Sequence, residues 1–187
     1  MDKINQEIPD IVVIIPKRRV DSRGYFAETY RQDFTRSLIG DITFVQDNES
    51  LSATPGTIRG FHFQSDPFAQ GKLVRCVQGA LLDVAVDIRI GSPTFGRWIA
   101  VELSAANGHQ LWIPTGFAHG FCTLVPDTML CYKVTAYYSA EHDKGLAWDD
   151  PEIGVKWPDC ADLDTLSAKD RIQPKLADLP SYFQFQG

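Results

Sequence analysis

Leu81-Leu82-Asp83-Val84-Ala85-Val86-Asp87-Ile88-Arg89 alternates without a break. In an extended chain Leu82, Val84, Val86 and Ile88 share one face, and Asp83, Ala85, Asp87 and Arg89 share the other. The run predicts a strand with a packed face and a polar, solvated one. Outward from it the same signature recurs. Short runs rich in β-branched and aromatic residues lie at 11–15, 25–30, 44–48, 57–63, 73–77, 80–88, 98–103, 110–113, 117–124 and 128–135. Many short strands with frequent turn signals predict an antiparallel sandwich or barrel. Gln78-Gly79 and Asn107-Gly108 each separate two such runs and predict hairpins. One helix of about two turns is expected at 32–39, closed by Gly40. Beyond Asp149, the pairs Asp150-Pro151, Trp157-Pro158, Gln173-Pro174 and Leu179-Pro180 break regular structure. They predict a coil that packs over the sandwich.

With 187 residues the chain reads as one domain, large enough to bury a core without disulfides. An apolar fraction of 44% disfavours disorder, and no run approaches the ~20 apolar residues of a membrane helix. A net charge of −6 argues against broad nucleic-acid binding, where phosphates demand surplus cations. A local basic pocket for one phosphate-bearing ligand remains compatible with it. Cys76, Cys122, Cys131 and Cys160 show no CxxC spacing, and three of them sit in strand-like runs. Buried, reduced thiols and a cytoplasmic location are expected. No strong dinucleotide fingerprint, P-loop or βαβ alternation is present.

The chemistry concentrates in Arg59-Gly60-Phe61-His62-Phe63-Gln64 and the following Gly71-Lys72. An imidazole takes up a proton near neutral pH. A fixed cation beside it holds the negative charge that appears when a carbon acid ionises. A lone strand histidine is ordinarily a core residue bonded to a carbonyl. His119, in the second glycine-flanked aromatic run 116–121, shifts the balance toward a shared pocket. Strict alternation puts Arg59 and His62 on opposite faces, so a bulge at Gly60 is expected to bring them together. A metal centre is the rival, but His62-Phe63-Gln64 lacks the second histidine of a His-x-His pair, and Arg59 and Lys72 would repel a dication. His142 and the carboxylates are not excluded by spacing alone. The polar residues Asp83 and Asp87 read as a solvated face, with an alternative in which Asp83 bonds His119 or pairs with Lys72.

The chain resembles the dTDP-4-dehydrorhamnose 3,5-epimerase family. The likeness rests on segments 21–28, 46–48 with Ser50 and Ser52, 59–64, 71–74, 83–89, 92–96, 112–121, 132–133, 138, 148–151 and 167–170, taken in order. It implies an all-β fold: a cupin-type antiparallel jelly roll with a few short helices and an irregular C-terminal tail, one domain over 1–187. It implies a 4-keto-6-deoxy sugar on dTDP as substrate, no metal or other cofactor, and a homodimer with exchanged strands. His62 matches the family's base, Asp170 its dyad partner, Lys72 the enolate-stabilising cation and Tyr132 the acid of the opposite face. Arg23, Glu28, Gln46, Asp47, Asn48, Arg59, His119 and Lys169 match substrate contacts, and Tyr138 matches the residue that stacks on thymine. Asp143 stands where the family usually has glutamate, with a shorter reach. Arg23 and Glu28 match positions that reach the neighbouring subunit's site. The alternatives weighed are an epimerase of C3 or C5 alone, a non-catalytic sugar-binding sandwich and a metal-dependent cupin enzyme.

Overall fold

The alternation at 80–87 is a strand, yet both of its faces are buried. The structure, a computed structural model, describes residues 1–186. The strands are β1 (Asp2–Asn5), β2 (Val12–Ile15), β3 (Arg19–Asp21), β4 (Gly24–Phe26), β5 (Gln46–Ser52), β6 (Ile58–Gln64) and β7 (Lys72–Gln78). They continue with β8 (Ala80–Asp87), β9 (Trp98–Ser104), β10 (Gln110–Ile113), β11 (Phe117–Thr123), β12 (Thr128–Val134) and β13 (Asp143–Gly145). Helix α1 (Gln32–Ile39) lies where the sequence predicts it, and Gly40 ends it at φ +93°. Strands β1, β3 and β13 were not expected, and the run at 25–30 is a strand only over β4.

Two antiparallel sheets face each other, in the orders β1-β2-β10-β7-β12-β5 and β13-β6-β11-β8-β9, while β3 and β4 form a separate ribbon. From β5 to β12 the chain repeatedly changes sheet, which makes this a cupin-like jelly roll. Both expected hairpins are corrected by this topology. The chain does reverse at Gln78-Gly79 and at Asn107-Gly108, and Asn107 Oδ1 accepts from the Ser104 and His109 amides. But β7 pairs with β10 and β12, and β8 with β9 and β11, so each turn passes the chain from one sheet to the other. A turn dipeptide encodes reversal; the ladder partner is chosen by long-range packing.

Between the sheets, Leu81, Ala85, Leu103 and Phe121 meet Val13, Val74, Leu111, Ile113 and Leu130. The outer face of the five-stranded sheet presents Phe61, Phe63, Val84, Val86 and Ala118. The tail covers it with Ile153, Leu176, Tyr182 and Phe183, as the sequence predicts. Each fully buried Val, Leu, Ile or Phe among them contributes roughly 1.5–3 kcal/mol by leaving water. The tail has three short 3-10 turns, Leu163–Thr165, Asp170–Ile172 and Leu176–Asp178.

The expected solvated face of β8 is therefore corrected. Asp83 and Asp87 are fully buried, because that face looks into the sandwich and the apolar face lies under the tail. Asp87 accepts from Ser92 Oγ and Thr94 Oγ1, both at 2.6 Å, and from Arg89 Nε and Nη2 at 2.9 and 2.7 Å. Burial opposes its ionisation, but these bonds prevail and hold the carboxyl below the usual range. All four cysteines are free. Cys76 and Cys122 are buried, whereas Cys131 is only half-buried and Cys160 is exposed.

Candidate active site

Strand β6 is built around its glycine. His62 pairs with His119 of β11 and Arg59 with Phe121, so two residues of β6, Gly60 and Phe61, oppose the single Gly120. This is the expected bulge. Gly60 sits at φ +114°, and a Cβ there would lie 2.6 Å from the Gly120 Cα. The extra residue turns Arg59 and His62 toward the same cavity, one of about 400 Å3.

His62 Nε2 donates to Asp170 Oδ1 at 2.6 Å. A carboxylate only accepts, so the neutral imidazole keeps its proton on Nε2 and Nδ1 is its basic nitrogen. Asp170 lies at the head of its 3-10 turn, where its amide donates to Ser167 Oγ at 3.1 Å. Burial opposes ionisation of Asp170, yet the bond and charge of His62 and the bonds of Ser167 and Gly60 outweigh it and hold its carboxyl low. An irregular-tail aspartate is ordinarily solvated; this one is buried.

Lys72 opens β7 from the facing sheet and is buried, with Nζ donating to the His62 carbonyl at 3.2 Å. Burial pulls its ammonium down to about 8, against the charges of Asp83 and Asp143 and with that of Lys169. His119 Nε2 donates to Asp83 Oδ1 at 2.8 Å, the alternative to a solvated Asp83. Burial takes the His119 imidazole below its ordinary value despite Asp83, helped by the charges of Lys72 and His62. Tyr132 lines the same cavity from β12. Burial raises its phenol against the Arg59 charge, and Asp143 raises it further, so it stays protonated.

Tyr138 and Asp143 complete the rim. Tyr138 Oη donates to Asp143 Oδ2 at 3.2 Å, and Lys169 Nζ donates to the same oxygen. Arg59 is fixed by Ser52 Oγ at 3.2 Å and the Leu51 carbonyl at 3.1 Å. The cavity thus gathers a carboxylate-oriented imidazole, an ammonium, a protonated phenol and a guanidinium. Such a set can move a proton off carbon and hold the resulting charge.

Comparison with known proteins decides the family. A family model described as dTDP-4-dehydrorhamnose 3,5-epimerase matches residues 5–178. The chain belongs to the dTDP-4-dehydrorhamnose 3,5-epimerase family. It is 58% identical to the dTDP-4-dehydrorhamnose 3,5-epimerase of Sinorhizobium fredii, over 95% of this chain and 91% of that protein. A crystal structure of dTDP-6-deoxy-D-glucose-3,5-epimerase from Legionella pneumophila, in complex with dTDP-4-keto-L-rhamnose, superposes with a TM-score of 0.93. It is 40% identical and covers 100% of this chain and 99% of that one. A dTDP-4-dehydrorhamnose 3,5-epimerase of Bacillus anthracis with TDP and pyrophosphate bound gives 0.89 at 49% identity, over 93% and 98%.

A single chain does not bring every predicted residue to the cavity. Arg59, His62, Lys72, His119, Tyr132, Tyr138, Asp143 and Asp170 line it. Lys169 reaches it through Asp143. Gln46 Nε2 donates to Asn48 Oδ1 at 2.7 Å, and its Oε1 accepts from the Tyr138 amide at 3.1 Å. Asp47 and Asn48 line a neighbouring cavity of about 380 Å3, which Tyr132 also borders. Arg23 and Glu28 lie elsewhere. The Arg23 side chain is 88% exposed on the β3–β4 ribbon and pairs with Asp21, and Glu28 pairs with Arg31. His142 packs its ring on Phe68 and bonds Ser139 Oγ at 2.8 Å. Among the described residues no group of three or more His, Cys, Asp or Glu is placed to hold a metal ion.

Gln64 closes the 59–64 run, and the sequence alone gives it no role. Buried, it donates to the Phe68 and Tyr137 carbonyls at 2.7 and 3.1 Å and accepts from the Ser139 amide at 2.7 Å. Its amide satisfies three backbone groups and so sets the loop that carries Tyr138. The signal was present: strict alternation puts Gln64 on the His62 face.

Proposed function

We propose that the cavity inverts C3 and C5 of a dTDP-linked 4-keto-6-deoxy hexose, giving dTDP-4-dehydro-β-L-rhamnose. The observation that carries this reading is the His62–Asp170 pair, which opens on the same cavity as Lys72 and Tyr132. Protons at C3 and C5 both flank the C4 ketone. His62 Nδ1 removes one of them, and the electron pair moves through the new C–C double bond onto O4. The Lys72 ammonium stabilises that oxygen; a preorganised donor of this kind is worth about 3–4 kcal/mol of barrier. Tyr132 returns a proton to the carbon from the opposite face. Solvent restores both groups, and the sequence repeats at the second carbon. Asp170 orients the imidazole and stabilises its cation. Arg59, His119 and Lys169 supply polar contacts for the sugar and diphosphate, and the Tyr138 ring supplies a stacking surface for the base. Gln46, Asp47 and Asn48 hold the rim on the β5 side. The balance is redox-neutral, so the residues themselves suffice for the protons and charge.

The working unit is a homodimer in which Arg23 and Glu28 complete the partner's site. Val20, Tyr25 and Phe26, 79%, 57% and 65% exposed on the β3–β4 ribbon around Arg23, support it. The chain works as one domain, since the tail both covers the outer sheet and delivers Asp170 to the cavity. The four free thiols fit a reducing cytoplasm. Among the described residues no helix is long and apolar enough to cross a membrane. Incubation with dTDP-4-keto-6-deoxyglucose in deuterated water tests the reaction. Deuterium at both C3 and C5 of the product is expected. Label at one carbon alone makes the protein a single-centre epimerase, and binding without exchange makes it a sugar-binding sandwich.

A further inference from the structure

One buried charge has no place in the scheme above. Asp83 lies mid-strand in β8 and is fully buried, and its carboxylate does not line the cavity. Oδ1 accepts from His119 Nε2 at 2.8 Å, while Oδ2 is buried with no hydrogen-bond partner among the described residues. A neutral imidazole satisfies one oxygen but leaves the carboxylate's charge uncompensated. Such a charge persists in a dry interior only beside an opposite one. The cation available is Lys72, on the facing sheet, itself buried and with a single acceptor, the His62 carbonyl.

We infer that Asp83 is a positioning residue: it is the counter-ion of the Lys72 ammonium, and its other oxygen locks His119 as the Nε2–H tautomer. The inference rests on the epimerase reading for its kinetic consequence. Two sheets thereby set the electrostatics of one site, with Lys72 from β7 and Asp83 from β8. Other charges also bear on Lys72. Asp143 from β13 supports the ammonium, Lys169 from the tail opposes it, and His62 and His119 face it from β6 and β11. Of the two carboxylates, Asp83 acts the more strongly on it. Lys72 serves the enolate only while protonated, and burial already brings it to about 8. Loss of the Asp83 charge lowers it further, so the enzyme loses its cation closer to neutral pH.

The test uses full-length protein labelled with 15Nζ-lysine and 13Cγ-aspartate. Asp83→Asn keeps an oxygen for His119 and removes the charge. The Lys72 titration midpoint is expected to fall by about one pH unit or more, tenfold in the proton equilibrium. The alkaline limb of the deuterium-exchange rate moves with it. A variant that folds, by unchanged thermal midpoint, yet titrates Lys72 as wild type does overturns the inference. Should the variant not fold, wild type decides alone. The Asp83 carboxyl carbon is expected to shift in the same step in which Lys72 loses its proton, and a flat Asp83 resonance through that step overturns the inference. Wild type that exchanges no deuterium defeats the epimerase reading, while the two resonances still decide the link between Asp83 and Lys72.

Discussion

His62 and Asp170 stand 108 residues apart in the chain, and Nε2 of the first donates to Oδ1 of the second at 2.6 Å. One comes from a regular strand, the other from a 3-10 turn in a proline-broken tail. The pair fixes which imidazole nitrogen is basic. It also gives the tail two tasks, covering the outer sheet and delivering a buried carboxylate.

Asp170→Asn keeps the shape and removes the charge that stabilises the imidazolium. Its exchange rate is expected to fall by about 10²–10⁴, the ordinary reach of acid–base catalysis. Affinity for dTDP, read by calorimetry, should change little. A rate within threefold of wild type contradicts the dyad.

Tyr132→Phe removes the proton donor of one face and leaves the base. Deuterium should still enter the substrate with retention while inverted product accumulates slowly. NMR of recovered sugar separates the two outcomes. Unchanged product formation would remove the phenol from the acid role.

Arg23 and His62 belong to different chains in any one site if the dimer reading holds. Arg23→Ala and His62→Ala are each expected to be nearly inactive alone. Refolded as a mixture, they form heterodimers in which one site has both native residues. Regained activity is the predicted result; none after verified heterodimer formation contradicts the exchanged ribbon.

Asp87 and Asp170 both hold their carboxyls below the ordinary aspartate range in the folded protein. A depressed folded value adds stability above the unfolded value, about 3.9, and that stability is lost as pH falls through the folded value. Urea midpoints should therefore be level down to about pH 5 and drop below pH 4. Asp87→Ala leaves Arg89 without its buried partner and should cost about 3–5 kcal/mol at neutral pH. Its acid slope should be shallower, because one of the proton-linked carboxylates is gone.

Much of this architecture was legible in the residues, for identifiable reasons. Period-2 alternation found β8, and Gly60 announced the bulge that joins Arg59 to His62. Alternation does not say what covers each face, so the buried Asp83 and Asp87 read as solvated. The Gly79 and Gly108 turns mark reversals, but the sheet that each next strand joins depends on contacts far along the chain. Strands β1, β3 and β13 are short and mostly polar and carry too little apolar pattern to register, unlike the equally short but apolar β2 and β10. Asp170 was legible only through family likeness, since nothing in Ser167-Ala168-Lys169-Asp170 distinguishes a dyad carboxylate from a surface one. Arg23 and Glu28 lie outside the single-chain cavity; on the dimer proposal they would serve a second copy's site.

The central claim is that one imidazole removes both protons. The most direct measurement is solvent-deuterium exchange by His62→Ala, with dTDP binding measured on the same preparation. The account predicts no exchange at C3 or at C5 and dTDP affinity close to wild type. Near-normal exchange at either carbon, by a variant that still binds dTDP, would contradict it.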